Sequence, residues 1–168
     1  MTGTSTAPRT GAAPKTYVRP LDAVDTIDSV ETVGEPGADA RLLVRARKTV
    51  TASDPYMAGH FPVVTLYPAV FFLEGVRQCV GLVLAHSPRL NAHVWGDHQD
   101  DWLEIDSLRS LRVLKPMRDG DALQLEISVS ADDRPGAVRA KVDCRRGGPT
   151  GPLVVQATVA LVRGGGAV

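Results

Sequence analysis

Alternating and β-branched stretches stand at six places in the chain, residues 24–33, 41–52, 103–114, 122–131, 137–145 and 153–162. An alternation of two, carried by Val, Ile, Leu and Thr, is the pattern of strands with one face buried. Between them stand Gly34-Glu35-Pro36-Gly37, Asp119-Gly120-Asp121, Asp132-Asp133-Arg134-Pro135-Gly136 and Gly147-Gly148-Pro149. Glycine there supplies conformations closed to other residues and proline a fixed φ, as turns between strands require. The second half of the chain therefore reads as an antiparallel meander.

One stretch breaks the alternation. Residues 69–86 contain no proline, carry apolar side chains on nearly every side and exceed the length of a strand, which predicts a buried helix. Pro68 suits the first helical position, where its missing N–H costs nothing, and Ser87-Pro88 marks the stop. The pattern thus predicts an α+β fold, an antiparallel sheet with a single central helix. Residues 1–20, rich in Thr, Ala, Pro and Gly, read as a loose tail, and 164–168 as a frayed end. Residues 21–163 are left as one domain.

Composition narrows the classes of function. Of 168 residues 43% are hydrophobic and 23% charged, within the range of globular proteins, and no run approaches the roughly 18 apolar residues of a bilayer span. Lys plus Arg equals Asp plus Glu at 19 each, so no overall field draws the chain to nucleic acid or to an anionic membrane. Cys79 and Cys144 form no CxxC pair, and the first residues lack an apolar signal core. Both read as reduced core thiols of a cytoplasmic protein.

Within the apolar helix, Glu74 is out of place, because an ionised carboxylate among Val70, Phe71, Phe72, Leu73 and Val76 is unfavourable without partners. Arg77, three residues on, would make it a structural ion pair, while Gln78, four residues on, would orient it as an amide partner. His60 lies in the loop Ala58-Gly59-His60-Phe61-Pro62, where a histidine taken alone is solvated or structural. His93 and His98 read as ordinary loop residues, with no metal site between them, and His86 as a partner of the helix dipole.

Taken together, Asp54-Pro55-Tyr56-Met57-Ala58-Gly59-His60-Phe61-Pro62 and Tyr67-Pro68-Ala69-Val70-Phe71-Phe72-Leu73-Glu74-Gly75-Val76-Arg77-Gln78 closely resemble the signature of the FabZ-type 3-hydroxyacyl-acyl-carrier-protein dehydratases. The resemblance lies in a GHFP loop, a proline-led helix start, a glutamate fourteen positions after the histidine, and a glutamine four further on. Val24-Asp25-Thr26-Ile27 and Lys115-Pro116-Met117-Arg118-Asp119-Gly120-Asp121 are similar to two more family stretches, so the likeness covers residues 21–163. The related FabA branch carries aspartate where this chain has Glu74. Departures are Val63-Val64-Thr65 in place of a Gly-basic-Pro segment, Tyr67-Pro68-Ala69 in place of Met-Pro-Gly, and a reduced N-terminal segment at Tyr17-Val18-Arg19-Pro20.

The resemblance implies a hotdog fold and the dehydration of a (3R)-3-hydroxyacyl thioester, in fatty-acid or polyketide synthesis. In that reaction His60 is the expected base and Glu74, its pKa raised by the apolar helix, the expected acid. Gln78 orients Glu74, the Ala69 N–H polarises the thioester carbonyl, and Phe61, Tyr67 and Phe71 line the substrate tunnel. No cofactor is implied beyond the phosphopantetheine of an acyl carrier protein that brings the substrate. A homodimer or higher homo-oligomer is implied, His60 of one subunit facing Glu74 of the other, and pairing with another hotdog subunit is a variant of it. Arg109, Arg112, Lys115 and Arg118 are either a basic surface for the carrier protein or simply solvated strand ends. Two other readings stand beside the enzyme: a weakly active or non-catalytic hotdog partner subunit, and a hotdog thioesterase.

Overall fold

The structure, a computed structural model, describes residues 23–34, 40–53, 57, 64–96 and 102–164. The N-terminal tail and residues 165–168 lie outside the described residues. All six expected strands form: β1 (Thr26–Val33), β2 (Arg41–Thr49), β3 (Leu103–Val113), β4 (Ala122–Ala131), β5 (Ala137–Arg146) and β6 (Leu153–Arg163). They make one antiparallel sheet in the order β1-β2-β4-β5-β6-β3. Only β4, β5 and β6 are the expected meander. β3 pairs beyond β6 at the sheet edge, so the chain returns across the sheet to begin β4. Alternation marks a strand but says nothing of its neighbour.

The pairing of β3 explains an oddity in its sequence. Its apolar residues Ile105, Leu108 and Leu111 recur every three positions, which in a regular strand would send them to opposite faces. Two register shifts, at Asp106 and Arg109, restore the balance: Ile105 pairs with Leu161, Leu108 with Val159 and Leu111 with Ala157. Each shift sets two residues of β3 against one of β6, so all three side chains face the same side as the core residues of β6. The two extra residues are re-aimed toward the β4–β5 turn. Asp106 meets Arg134 at 3.0 Å, and Arg109 meets the buried Asp132 at 3.5 Å. Burial works against the Asp132 charge, but the Arg134 amide and guanidinium and Arg139 outweigh it and hold the carboxyl below its ordinary range.

The helix α1 (Ala69–Val83) turns Phe72, Gly75, Val76, Cys79, Val80 and Val83 toward the sheet, a stripe at helical spacing. It meets Leu42, Val44, Leu125, Ile127, Val142 and Val159 in the core. Val70 and Leu82 stay exposed, so the helix is buried on one side and not all round as the sequence suggests. With the 3-10 turn Leu84–His86 it makes eighteen residues of mean hydropathy 1.4, long and apolar enough to cross a bilayer by length and composition, contrary to the reading from composition. Ser87-Pro88 stops this helix but also starts another, α2 (Pro88–Trp95), with Ser87 capping the Leu90 amide and Pro88 at the first turn. α1 is the one long helix expected, and the short α2 is an addition to it. The same dipeptide that ends one helix has the chemistry of a helix start.

Gly75 is where α1 comes closest to the chain entering β1. A Cβ at that position would stand 2.9 Å from the Ala23 carbonyl oxygen and 3.3 Å from the Val24 side chain. A backbone oxygen cannot rotate aside, so Gly75→Val should destabilise the protein by about 1–3 kcal/mol. A lowered urea midpoint at unchanged slope is the expected reading. Unaltered stability would mean that the segment around Ala23 is not packed against α1.

Candidate active site

Pro68 opens α1 from the N-cap, with φ −65° and ψ 137°, and Ala69 is the first helical residue. The expectation of Pro68 inside the first turn is off by one: its extended ψ belongs to the residue before a helix. The Ala69 amide is among the first four of the helix, which have no intrahelical acceptor, so it is available to an incoming oxygen. The approach to it is fastened from the side. The Tyr67 amide donates to the Met117 carbonyl at 2.9 Å, and Leu66 bridges Arg118, so the residues before α1 are tied to the β3–β4 connection. Between them lies a cavity of about 340 Å³ lined by Tyr67, Pro68 and Ala69 on one side and Leu114, Lys115 and Met117 on the other. Tyr67 is buried and meets Phe71 edge to face, ring centres 5.9 Å apart. Tyr67 thus serves the core and the cavity wall together.

One turn further on, Glu74 is held by three hydrogen bonds. Arg77 grips it as a fork, Nε to Oε2 at 2.8 Å and Nη2 to Oε1 at 2.6 Å, and Gln78 Nε2 donates to Oε1 at 2.9 Å. Both partners are themselves anchored. Arg77 Nη1 donates to the Leu103 carbonyl of β3 at 3.0 Å, and Gln78 Oε1 accepts from the Ala23 amide at 3.2 Å. The Arg77 fork, against the opposing effect of burial and with help from Gln78, holds the Glu74 carboxyl below the usual glutamate range. The direction is opposite to the rise expected from the apolar helix. The apolar residues beside it in sequence do not surround its carboxylate; Arg77 and Gln78, one turn along the same face, do.

His60 and Phe61 lie outside the described residues. The basic stretch does not form one patch. Arg109 is engaged by Asp132, and Arg112 lies on the outer sheet face beside Lys141, Asp143 and Gln156. Lys115 borders the cavity at the start of α1, and Arg118 is exposed on the same connection. His93, expected in a loop, lies on α2, where its Nε2 pairs with the Ala137 carbonyl at 2.9 Å and fastens the helix to β5. A larger cavity of about 470 Å³ beside it, bounded by Trp95, Gly136 and Arg163, brings no acid–base pair together among the described residues. Among the described residues no three His, Cys, Asp or Glu side chains gather as a metal site. Cys79 and Cys144 are buried, which pushes both thiols to about 12, Arg146 opposing the effect at Cys144. The roles of Leu103 and Ala23 are backbone roles, for which the sequence carries no signal.

An antiparallel six-stranded sheet packed on one long helix is the architecture of a hotdog fold. The dehydratase heterocomplex ApeI:P from Xenorhabdus doucetiae shares the fold, with a TM-score of 0.59 at 12% identity over 85% of this chain and 83% of that one. The FabA-like domain family matches residues 18–147, and the chain belongs to that family. It is 35% identical over 86 residues to the 3-hydroxyacyl-[acyl-carrier-protein] dehydratase FabZ of Coxiella burnetii, covering 50% of this chain and 56% of that protein. With the FabZ of Shewanella amazonensis it shares 32% identity over 123 residues, 71% of this chain and 72% of that protein. The first of these matches spans about half the length of the relative.

Proposed function

We propose that the chain is a dehydratase that converts a 3-hydroxyacyl thioester, carried on the phosphopantetheine of an acyl carrier protein, to the trans-2-enoyl thioester in the cytoplasm. The observation that carries the reading is the fixing of Glu74. A carboxylate held by three donors anchored on separate parts of the chain is aimed, whereas a merely solvated one has no such support. Curated relatives named as FabZ dehydratases, and the His60–Glu74–Gln78 spacing, support the same reading.

Elimination of water requires a base for the C2 proton, an acid for the departing hydroxyl and a donor for the enolate-like oxygen. His60 and Glu74 divide the first two tasks, and Gln78 holds Glu74 in place. The Ala69 amide, at the positive end of α1, supplies the third. The acyl chain enters by the cavity before α1, with Lys115 at its border and the exposed Arg118 on the same connection as the basic groups for an acidic carrier protein. The active unit is a dimer in which His60 of one subunit meets Glu74 of the other. Incubating the full chain with short and long 3-hydroxyacyl-carrier thioesters tests the reading, with enoyl thioester and water as the expected products. Release of free thiol instead would favour a thioesterase.

A second reading is favoured by the same ion pair. A Glu74–Arg77 fork is also what a structural helix would use, and it suits a hotdog partner subunit that turns over little by itself. No turnover by the pure chain, with activity restored by a second hotdog subunit, would decide for it.

A further inference from the structure

The cavity before α1 has an open rim and a closed inner end. Leu114, Lys115 and Pro116 at the rim are exposed, whereas Tyr67 and Met117 belong to the buried core. The inner end is stiff. The Tyr67 amide donates to the Met117 carbonyl at 2.9 Å, and the Tyr67 ring is backed edge to face by Phe71 of α1, ring centres 5.9 Å apart. A tyrosine side chain has only two torsions, so a ring packed in this way cannot fold aside as an unbranched, flexible side chain such as methionine does. The Ala69 amide, among those without an intrahelical acceptor, stands two residues further along the same wall.

We propose that Tyr67 is a specificity-determining residue that closes the inner end of this cavity, so that the site takes short-chain acyl thioesters and turns away long ones. That the occupant is an acyl thioester rests on the dehydratase reading; the closed end rests on Tyr67, Phe71 and Met117 alone. An acyl group tethered to a carrier protein enters free end first, because its other end stays with the carrier outside the rim. With the thioester oxygen on the Ala69 amide, the carbons beyond C3 run inward onto the phenol ring.

The space available sets the scale. At about 340 Å³ the cavity stands near the lower end of the roughly 300–1,000 Å³ of small-molecule sites, and the end of the phosphopantetheine arm takes part of it. Each methylene that finds apolar room adds about fourfold to binding. A methylene that meets a ring held on both sides gains nothing, since forcing it in displaces packed side chains. Preference should therefore fall once the chain is long enough to reach Tyr67.

The test uses the full chain and the 3-hydroxybutyryl and 3-hydroxyoctanoyl thioesters of an acyl carrier protein, compared by kcat/KM. Binding of butyryl-pantetheine and octanoyl-pantetheine, which have no hydroxyl to lose, is measured beside them by calorimetry. Wild type should favour the short chain in both readings. Tyr67→Met should move the kcat/KM ratio toward the long substrate by about tenfold to a hundredfold, the worth of two or three methylenes at about fourfold each. Tyr67→Phe keeps the ring and should keep the wild-type preference. A wild type that takes the long chain as well as the short one overturns the closed end and leaves the dehydratase reading standing. So does a preference that Tyr67→Met leaves unmoved in a folded variant, or that Tyr67→Phe moves as far as Tyr67→Met. If the Met variant fails to fold, Phe71→Leu, which takes away the backing of the ring, decides by the same readings. No turnover of either substrate, with pantetheine binding that favours the short chain in wild type and shifts in Tyr67→Met, overturns the dehydratase reading and leaves Tyr67 as the end of the cavity. Neither turnover nor binding of either chain length overturns both.

Discussion

Glu74→Gln keeps its fold and loses about 10²–10⁴ of its turnover, the usual worth of a positioned acid or base. Glutamine nearly preserves the shape but neither takes nor gives a proton at the required strength. It also presents one oxygen and one NH2 to a guanidinium that needs two oxygens, so one arm of the Arg77 fork meets a donor. A half-satisfied arginine at this partly buried site costs about 1–3 kcal/mol, which a domain of ordinary stability, about 5–15 kcal/mol, survives. Circular dichroism melts beside thioester turnover separate the two effects. A lowered melting point with full turnover would reduce Glu74 to a structural ion pair.

His60→Ala should abolish turnover to a similar degree without unfolding the chain, since a loop histidine contributes little packing. Combined with Glu74→Gln it also tests the shared site. Each variant alone is inactive. In a heterodimer of the two, one composite site collects both substitutions and the other keeps His60 and Glu74 intact. Random mixing makes about half of the dimers mixed, each with one working site of two, so about a quarter of wild-type activity should return. Subunit exchange shown by mass spectrometry without any recovery would place both residues of a site in one chain.

Much of the fold can be read from alternation because the sheet has one buried face: β2, β4, β5 and β6 put every second residue into the core, and their bounds follow from that. What escapes is whatever depends on a partner distant in sequence. The place of β3 beside β6, and the shifts at Asp106 and Arg109, are set by matching against β6 and leave only a spacing of three as their trace. The second helix was hidden because Ser87-Pro88 fits a stop and a start equally well. At the site, the spacing from Glu74 to Arg77 and Gln78 was legible, since neighbours on a helix face are fixed by its pitch. The direction of the Glu74 shift was not: counting apolar neighbours in sequence overlooks where a side chain ends, and Arg77 reaches the carboxylate that Phe71 and Leu73 do not. The pairing of Arg109 with Asp132 depends on the shift in β3, which the charge pattern alone does not show.

The two extra residues of β3 also give that strand slack in its length. β4 runs in unbroken register against both β2 and β5, so the loss of one residue such as Glu126 would turn everything beyond it to the wrong face. Asp106 has no ladder partner to lose. Its deletion would leave Leu108, Leu111 and Val113 opposite Val159, Ala157 and Val155, at the cost of the contact with Arg134. The edge strand is therefore the part of this sheet where a codon can be gained or lost while the interior stays in step, and relatives that differ in length by one residue can do so here without repacking the core.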